Sequence, residues 1–322
     1  MRSEGKHIFV VDSGDLFFQK GVLTDSTRNE MAARAGLILE SFNEMGTTVL
    51  NVGDDDFMLG ESFLLSLKDR AKFPFLSSNI QSSEFHKPLF ERYIIKKVGD
   101  LKIGFIGLAW DGGNFPKSIE IVDPVSSARD ILREIRNDVN LVVALTNMPF
   151  KVEQALADSV EGLDMIIGGH DGKSFIRPKI NNGRGIYKAG AEGQNLGVIN
   201  ISYKIKSVEL TEISAKLFSL KRVNKNLDRL KLSLKGSTIE EAYDENKKDA
   251  AKLEELKAKK RNIQRDMDLL VNTVSFDLVL LSEEYPSDDK IESFVSEYRV
   301  HFPLVEDENS EEELLLDDLI EQ

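Results

Sequence analysis

From residue 7 to about 203 the sequence alternates short β-rich runs with helical stretches, and that alternation restricts the chain to a layered α/β core. The runs are His7 to Val11, Thr47 to Val52, Phe75 to Ser77, Tyr93 to Val98, Leu101 to Gly107, Leu141 to Leu145, Met165 to Ile167, Gly185 to Ala189 and Gly197 to Tyr203. Several end directly in Gly, Asp, Asn or His, and ligands of such sheets bind beyond the carboxyl ends of the strands. Between the first two runs, Met31, Ala35, Ile38, Leu39 and Phe42 recur at helical steps, so Thr27 to Met45 reads as a helix closed by Gly46. Ser126 to Arg136 and Lys151 to Ser159 read as helices on either side of the Leu141 strand.

Beyond about Thr211 the pattern changes. Leu220, Val223, Leu227, Leu230 and Leu234 form a heptad seam, which Gly236 interrupts. Ser237 and Glu240 make a capping-box pattern, and the charged stretch to about Asn272 keeps Leu253, Leu256, Ile263, Met267 and Leu270 on one face. A long helical hairpin is expected, followed by a strand over Val274 to Leu281 and a helix over Asp288 to Tyr298. Glu306 to Gln322 holds nine Asp or Glu and no Lys or Arg, the composition of a solvated disordered tail; docking to a partner through Leu314 to Leu316, Leu319 and Ile320 is the other reading.

Composition narrows the function classes. A net charge of -13 disfavours nonspecific nucleic-acid binding, which draws on Lys and Arg displacing counterions. The absence of cysteine removes disulfides, thiolate metal sites and thiol nucleophiles. No window approaches the roughly 20 apolar residues of a membrane span, so no membrane role is expected. Met1 to Lys6 are polar and show no signal segment.

Four strand-end segments bring acidic and imidazole groups to turns: Asp12-Ser13-Gly14-Asp15, Gly53-Asp54-Asp55-Asp56, Leu145-Thr146-Asn147 and Gly168-Gly169-His170-Asp171-Gly172. Carboxylates suit hard cations such as magnesium and manganese, and imidazole suits zinc and similar metals. Each segment also has a plain structural reading. Asp12 to Gly14 are turn formers, Asp54 to Asp56 can form a loop and helix cap, and His170 can be an internal hydrogen-bonding residue. Trp110 and Asp111 read as ordinary loop residues with a substrate contact as the alternative.

In order, spacing and neighbouring text these segments resemble the 5'-nucleotidase branch of the calcineurin-like metallophosphoesterases. Leu76-Ser77-Ser78-Asn79-Ile80, Ile103-Gly104-Phe105-Ile106-Gly107-Leu108 and Tyr187 to Leu196 are similar to the family's supporting strands and loops, so the resemblance spans about residues 7 to 205. It implies a layered α/β/β/α sandwich with the helical hairpin, coiled-coil-like, appended. The boundaries expected are 1–212 for the metallophosphoesterase-like domain, 213–273 for the hairpin, 274–304 for a returning strand and helix, and 305–322 for the acidic tail.

Carried over residue by residue, the resemblance implies Asp15 as the metal-bridging aspartate and His170 as a metal ligand, with Asp54 substituting for the family's asparagine. Asp55 stands where the family has its catalytic histidine, Asn147 where it has a ligand histidine, and Gly172 where it has the second histidine of Gly-His-x-His. The family's opening Asp-x-His loop is not found ahead of Asp15. Two explanations stand: the Val274 to Leu281 strand returns to the core sheet, or the sequence is part of a longer one. A rescued site would draw on Asp12, Asp15, Asp54, Asp55, Asp56 and His170, and would favour a hard cation. One positioned acid or base is worth about 10²–10⁴-fold in rate, so these replacements imply an impaired enzyme.

The expected function is therefore a catalytically impaired 5'-nucleotidase-like domain acting as a binding or assembly module, with a divalent metal (Mn, Mg or Zn) or none. One alternative is an active metal-dependent phosphohydrolase of nucleotides or other phosphomonoesters. Another is a structural protein that contacts a protein partner or itself through residues 217–272. The resemblance also implies a place in nucleotide catabolism and relatives that are commonly exported.

Overall fold

The computed structural model describes residues 7–18, 23–113, 115–205, 208–233 and 247–303. The Ser237 and Glu240 capping box and the Glu306 to Gln322 tail lie outside these residues. Among the described residues, no helix is long and apolar enough to cross a membrane.

Two β layers stacked face to face form the centre, the first of them a single sheet. It has six strands: β5 (Tyr93–Val98), β6 (Leu101–Ala109), β8 (Leu141–Asn147), β9 (Met165–Gly168), β10 (Lys179–Asn181) and β11 (Arg184–Tyr187). Their spatial order is β10-β11-β9-β8-β6-β5, with the four central strands parallel and an antiparallel strand at each edge. The alternation along β8 shows why these residues make an interior strand. Leu141, Val143 and Leu145 face the second β layer, while Val142 and Ala144 face helices α3 (Pro124–Ile135) and α4 (Phe150–Ser159). Both faces are apolar, as a covered parallel strand requires.

The second β layer holds two three-stranded sheets. Parallel β1 (Val11–Asp12), β2 (Val49–Asn51) and β3 (Phe75–Leu76) lie in that order and carry α1 (Asp25–Met45) and α2 (Glu61–Arg70) outside. Strands β12 (Asn195–Ser202), β14 (Thr273–Leu280) and β13 (Thr211–Glu212) form the other. The architecture is thus the α/β/β/α sandwich implied by the resemblance. A small antiparallel pair, β4 (Ile80–Ser82) with β7 (Ile119–Ile121), adds to it.

The first strand is shorter than expected, its ladder being confined to Val11 and Asp12 beside Val49 and Leu50. Phe9 nevertheless packs edge-on to Phe105, so the residues before the ladder still line the core. Helix α1 begins two residues early because Thr24 and Thr27 form a reciprocal capping box, and it stops at left-handed Gly46. Beyond the sandwich, α5 (Ser214–Ser233) and α6 (Lys247–Asp268) pack through Val223, Leu227 and Leu253, flanked by Leu230, Leu256 and Ile263. The segment after them is attached to the β layer: β14 pairs antiparallel with β12 along eight residues and buries Val274 and Phe276. Helix α7 (Asp289–His301), capped by Asp288, lies on α1 with Lys290 paired to Glu44.

Candidate metal centre

The carboxyl ends of β1, β2, β8 and β9 converge at one edge of the sandwich. After β1 the chain turns through Gly14, at φ 102°, and Asp15, at φ 60°. The turn is closed by the Gly14 N–H donating to Asp12 Oδ1 at 2.9 Å, and the Ser13 hydroxyl donates to the Ile167 carbonyl of β9 at 2.8 Å. Asn51, at the end of β2, donates to the carbonyls of Ser13 and Leu108 and so ties three strand ends together.

The 54–56 carboxylates follow β2 around a 3₁₀ turn, and each faces a different way. Asp54 is buried and points toward His170. The backbone N–H of Asp55 donates to Asp15 Oδ1 at 3.1 Å. Asp56 is turned inward, and its Oδ2 accepts from the N–H groups of Asp15 and Gly53, its Oδ1 from those of Leu16 and Phe17. Burial and then the Asp15 charge push the Asp56 acid upward, while the N–H groups of Gly53, Phe17 and Asp15 pull it down.

His170 follows β9 on left-handed backbone at φ 69°. Its Nδ1 lies 3.5 Å from Asp15 Oδ2 and 3.5 Å from Asp54 Oδ1. Those two carboxylates raise its pKa to about 9 against the opposing pull of burial. Non-glycine residues at positive φ are uncommon and concentrate at functional sites; here two of the three clustered side chains adopt it.

One ligand atom from each of Asp15, Asp54 and His170 fits within a 4.8 Å span. Two ligands on one ion, each at about 2.0–2.6 Å, stand at most about 5 Å apart, so this cluster has the dimensions of a single-cation site. Beside it the Asn147 side chain is fully buried, with neither Oδ1 nor Nδ2 hydrogen-bonded. An unmet buried amide costs about 1–3 kcal/mol per group, a cost that a cation or its water would relieve. The backbone at Gly53 packs tightly against two of these side chains. A Cβ on Gly53 would stand 2.1 Å from Asp15 Oδ1 and 2.6 Å from Asn147 Cγ.

No family model matches the chain. A 2',3'-cyclic-nucleotide 2'-phosphodiesterase/3'-nucleotidase of Salmonella typhimurium is 28% identical over 244 residues, 62% of this chain and 37% of that protein. A 5'-nucleotidase of Vibrio cholerae is 25% identical over 309 residues, 84% of this chain and 53% of that protein. Among solved structures, a 5'-nucleotidase precursor of Thermus thermophilus aligns with TM-score 0.61 at 18% identity, covering 94% of this chain and 51% of that one. A calcineurin-like phosphoesterase of Bacillus subtilis aligns with TM-score 0.59 at 16% identity, covering 91% and 83%. The chain has the fold of these phosphoesterases and is similar in sequence to nucleotidases of the 5'-nucleotidase type. It spans little more than a third of the first of these relatives, and about half of the second.

Within this domain the six candidate residues divide. The structure brings Asp15, Asp54 and His170 together and leaves three others outside the cluster. Asp12 closes its own turn, with burial raising its acid to about 6. Asp55 meets Asp15 through its backbone, and Asp56 is spent on four N–H groups. The donor set, two carboxylates and an imidazole beside a buried carboxamide, fits a divalent cation. Asn147 is the residue that sequence reading undervalued: it was read only as a lost histidine, yet it occupies the site. Lys188, Glu153 and Thr146, which underlie the same loops, gave no signal in the sequence beyond one lysine amid apolar strand residues.

Proposed function

We propose that the domain binds one divalent cation through Asp15, Asp54 and His170, and through it the phosphate of a nucleotide or another phosphomonoester, with hydrolysis impaired. The observation that carries this reading is the single-ion span of the three ligand atoms next to the unmet Asn147 amide. Two-metal phosphoesterase chemistry needs ions about 3.5–4 Å apart, each with its own ligands, and Asn147 and Gly172 stand where the resemblance implies histidine ligands. When bound, a cation would polarise a phosphoryl oxygen and acidify bound water.

The chain's own residues do the rest. Asp15 and Asp54 concentrate negative charge in a buried place, which repels a phosphate until a cation is held there. Asp55, at the position the resemblance gives to the catalytic histidine, carries a carboxyl group, and the imidazolium that would protonate a leaving group there is missing. The Trp110 to Gly112 loop borders the cluster, with Gly112 close to Asp54 and the Trp110 ring part-exposed at the rim.

Calorimetric titration with manganese, magnesium and zinc, paired with phosphatase assays on AMP and a generic phosphomonoester, tests the reading. One ion bound per chain, lost in Asp15→Ala, with turnover at least about 10²-fold below that of an assayed active relative, is the expected result. Two bound ions with efficient turnover would restore the active-enzyme alternative, and no binding would remove the metal reading.

A role in assembly has one observation behind it: Leu232 on α5 and Leu269, just past the end of α6, are 79% and 76% exposed. A partner or second copy covering them would show as association in sedimentation that Leu232→Lys with Leu269→Lys abolishes.

A further inference from the structure

We propose that Lys188 is a positioning residue of this centre, joining the β8 end that carries Asn147 and the β9 loop that carries His170 into one unit. This rests on the cation-binding reading above for its consequence, but the joining itself is a separate claim.

The Lys188 side chain is fully buried. Its ammonium donates to the Gly169 carbonyl at 2.9 Å and to Asp171 Oδ1 at 2.7 Å, and ion-pairs with Glu153 Oε2 at 3.1 Å. Gly169 and Asp171 are the two neighbours of His170, so the left-handed residue is bracketed by bonds to one cation. The other Asp171 oxygen accepts from the Phe150 N–H at the start of α4 and from Lys173. The other Glu153 oxygen accepts from the Thr146 hydroxyl at 2.9 Å, and Thr146 precedes Asn147. Gly168 lies so close to Glu153 that a Cβ would stand 1.9 Å from Oε1, which places the carboxylate directly under the β9 backbone.

A buried ion cluster is a poor way to add stability, because desolvation offsets most of the attraction, and an apolar core of equal volume does as well. What the cluster supplies is direction. Left-handed backbone at a non-glycine residue persists only where its surroundings over-determine it, and the groups behind metal ligands set their orientation. Lys188 holds the β9 loop directly, and Glu153 relays it to Thr146 at the end of β8, Asp171 to the start of α4.

The test uses the full chain as Lys188→Met with Glu153→Gln, which removes the opposed charges together and keeps the volume, and separately as Thr146→Val, which cuts only the link to the Asn147 end. Two quantities are read: amide hydrogen exchange without added metal, and affinity for manganese. The double variant is expected to melt cooperatively, with exchange accelerated about tenfold or more at 146–148 and 168–172 and unchanged elsewhere, and with manganese affinity lowered about 10–100-fold. Thr146→Val is expected to accelerate 146–148 and to lower manganese affinity by a smaller factor. Unchanged exchange at both segments, or acceleration spread over the whole domain, overturns the proposal in either variant. Wild-type protein that binds no manganese removes the metal reading, and the exchange data then decide the positioning claim alone. Loosened loops with undiminished manganese affinity would overturn the claim that Lys188 serves the site.

Discussion

Asp56→Asn removes one acceptor from a carboxylate that serves four backbone donors. Its two oxygens divide those donors evenly, Asp15 and Gly53 on Oδ2 and Leu16 and Phe17 on Oδ1. Whichever way the asparagine amide is turned, its NH2 faces two N–H groups and meets neither. The residue is 1% exposed, so water cannot take over. At about 1–3 kcal/mol for each unmet buried donor, the expected loss is about 2–6 kcal/mol, a large share of the roughly 5–15 kcal/mol that holds a domain together. Urea unfolding of the two proteins at pH 7, followed by far-UV circular dichroism, gives the difference. The loop that Asp56 holds also carries Asp15, so manganese binding falls with it. A loss below about 1 kcal/mol would refute the reasoning. A neutral side chain would then be accommodated without penalty, meaning that burial and Asp15 keep the Asp56 acid protonated and that the donors are not met by a carboxylate at all.

Gly53→Ala places a methyl 2.1 Å from Asp15 Oδ1 at a position that needs no positive φ, so the chain should fold with Asp15 and Asn147 displaced; calorimetry should show manganese affinity reduced by about tenfold or more. His170, held near pH 9 by its two carboxylates, contributes stability that is fully present below about 6.5 and lost as pH rises through about 9. The stability advantage of wild type over His170→Gln should therefore shrink across that window in urea titrations. Because a bound cation displaces the same proton, manganese affinity should climb with pH up to about 9, with proton release seen in buffers of different ionisation enthalpy. Phe276→Ala empties a buried site against the Tyr187 ring, whose centroid lies 5.5 Å away, and should cost about 3–5 kcal/mol in unfolding experiments.

The strands that the sequence made legible are those whose own side chains declare burial. Leu141 to Leu145 and, past Lys102, Ile103 to Gly107 are apolar on both faces because a layer covers each, and continuous apolar runs of that length admit little else. Strands β4, β7 and β10 went unread for the opposite reason: each is three residues long, part polar, and defined by a partner strand rather than by its own pattern. Helix α2 was missed because Phe63-Leu64-Leu65 within ten residues is as compatible with a strand as with a helix. At the site, Asp54, Asp55 and Asp56 are indistinguishable as letters, and only the 3₁₀ turn sends Asp54 to the candidate metal cluster and Asp56 to the backbone N–H groups. Lys188 was illegible since its partners, Glu153 and Asp171, lie 35 and 17 residues away, and nothing local marks a strand lysine as fully enclosed.

The pairing of β14 with β12 also sets a schedule. Ser202 and Thr273 are neighbours in the ladder, so the register that closes this sheet skips the whole α5–α6 excursion. Contacts so distant along the chain slow folding, since a long loop must be closed before they repay it. On a ribosome adding about 5–20 residues per second, the roughly 80 residues from the end of β12 to the end of β14 take several seconds to emerge. For that interval Ile199, Ile201 and Tyr187 face an open edge, waiting for Val274 and Phe276. The residues of the candidate metal cluster are synthesised long before the strand that seals the core behind them, and a nascent chain stalled within the excursion would present Asp15, Asp54 and His170 on an unfinished sandwich.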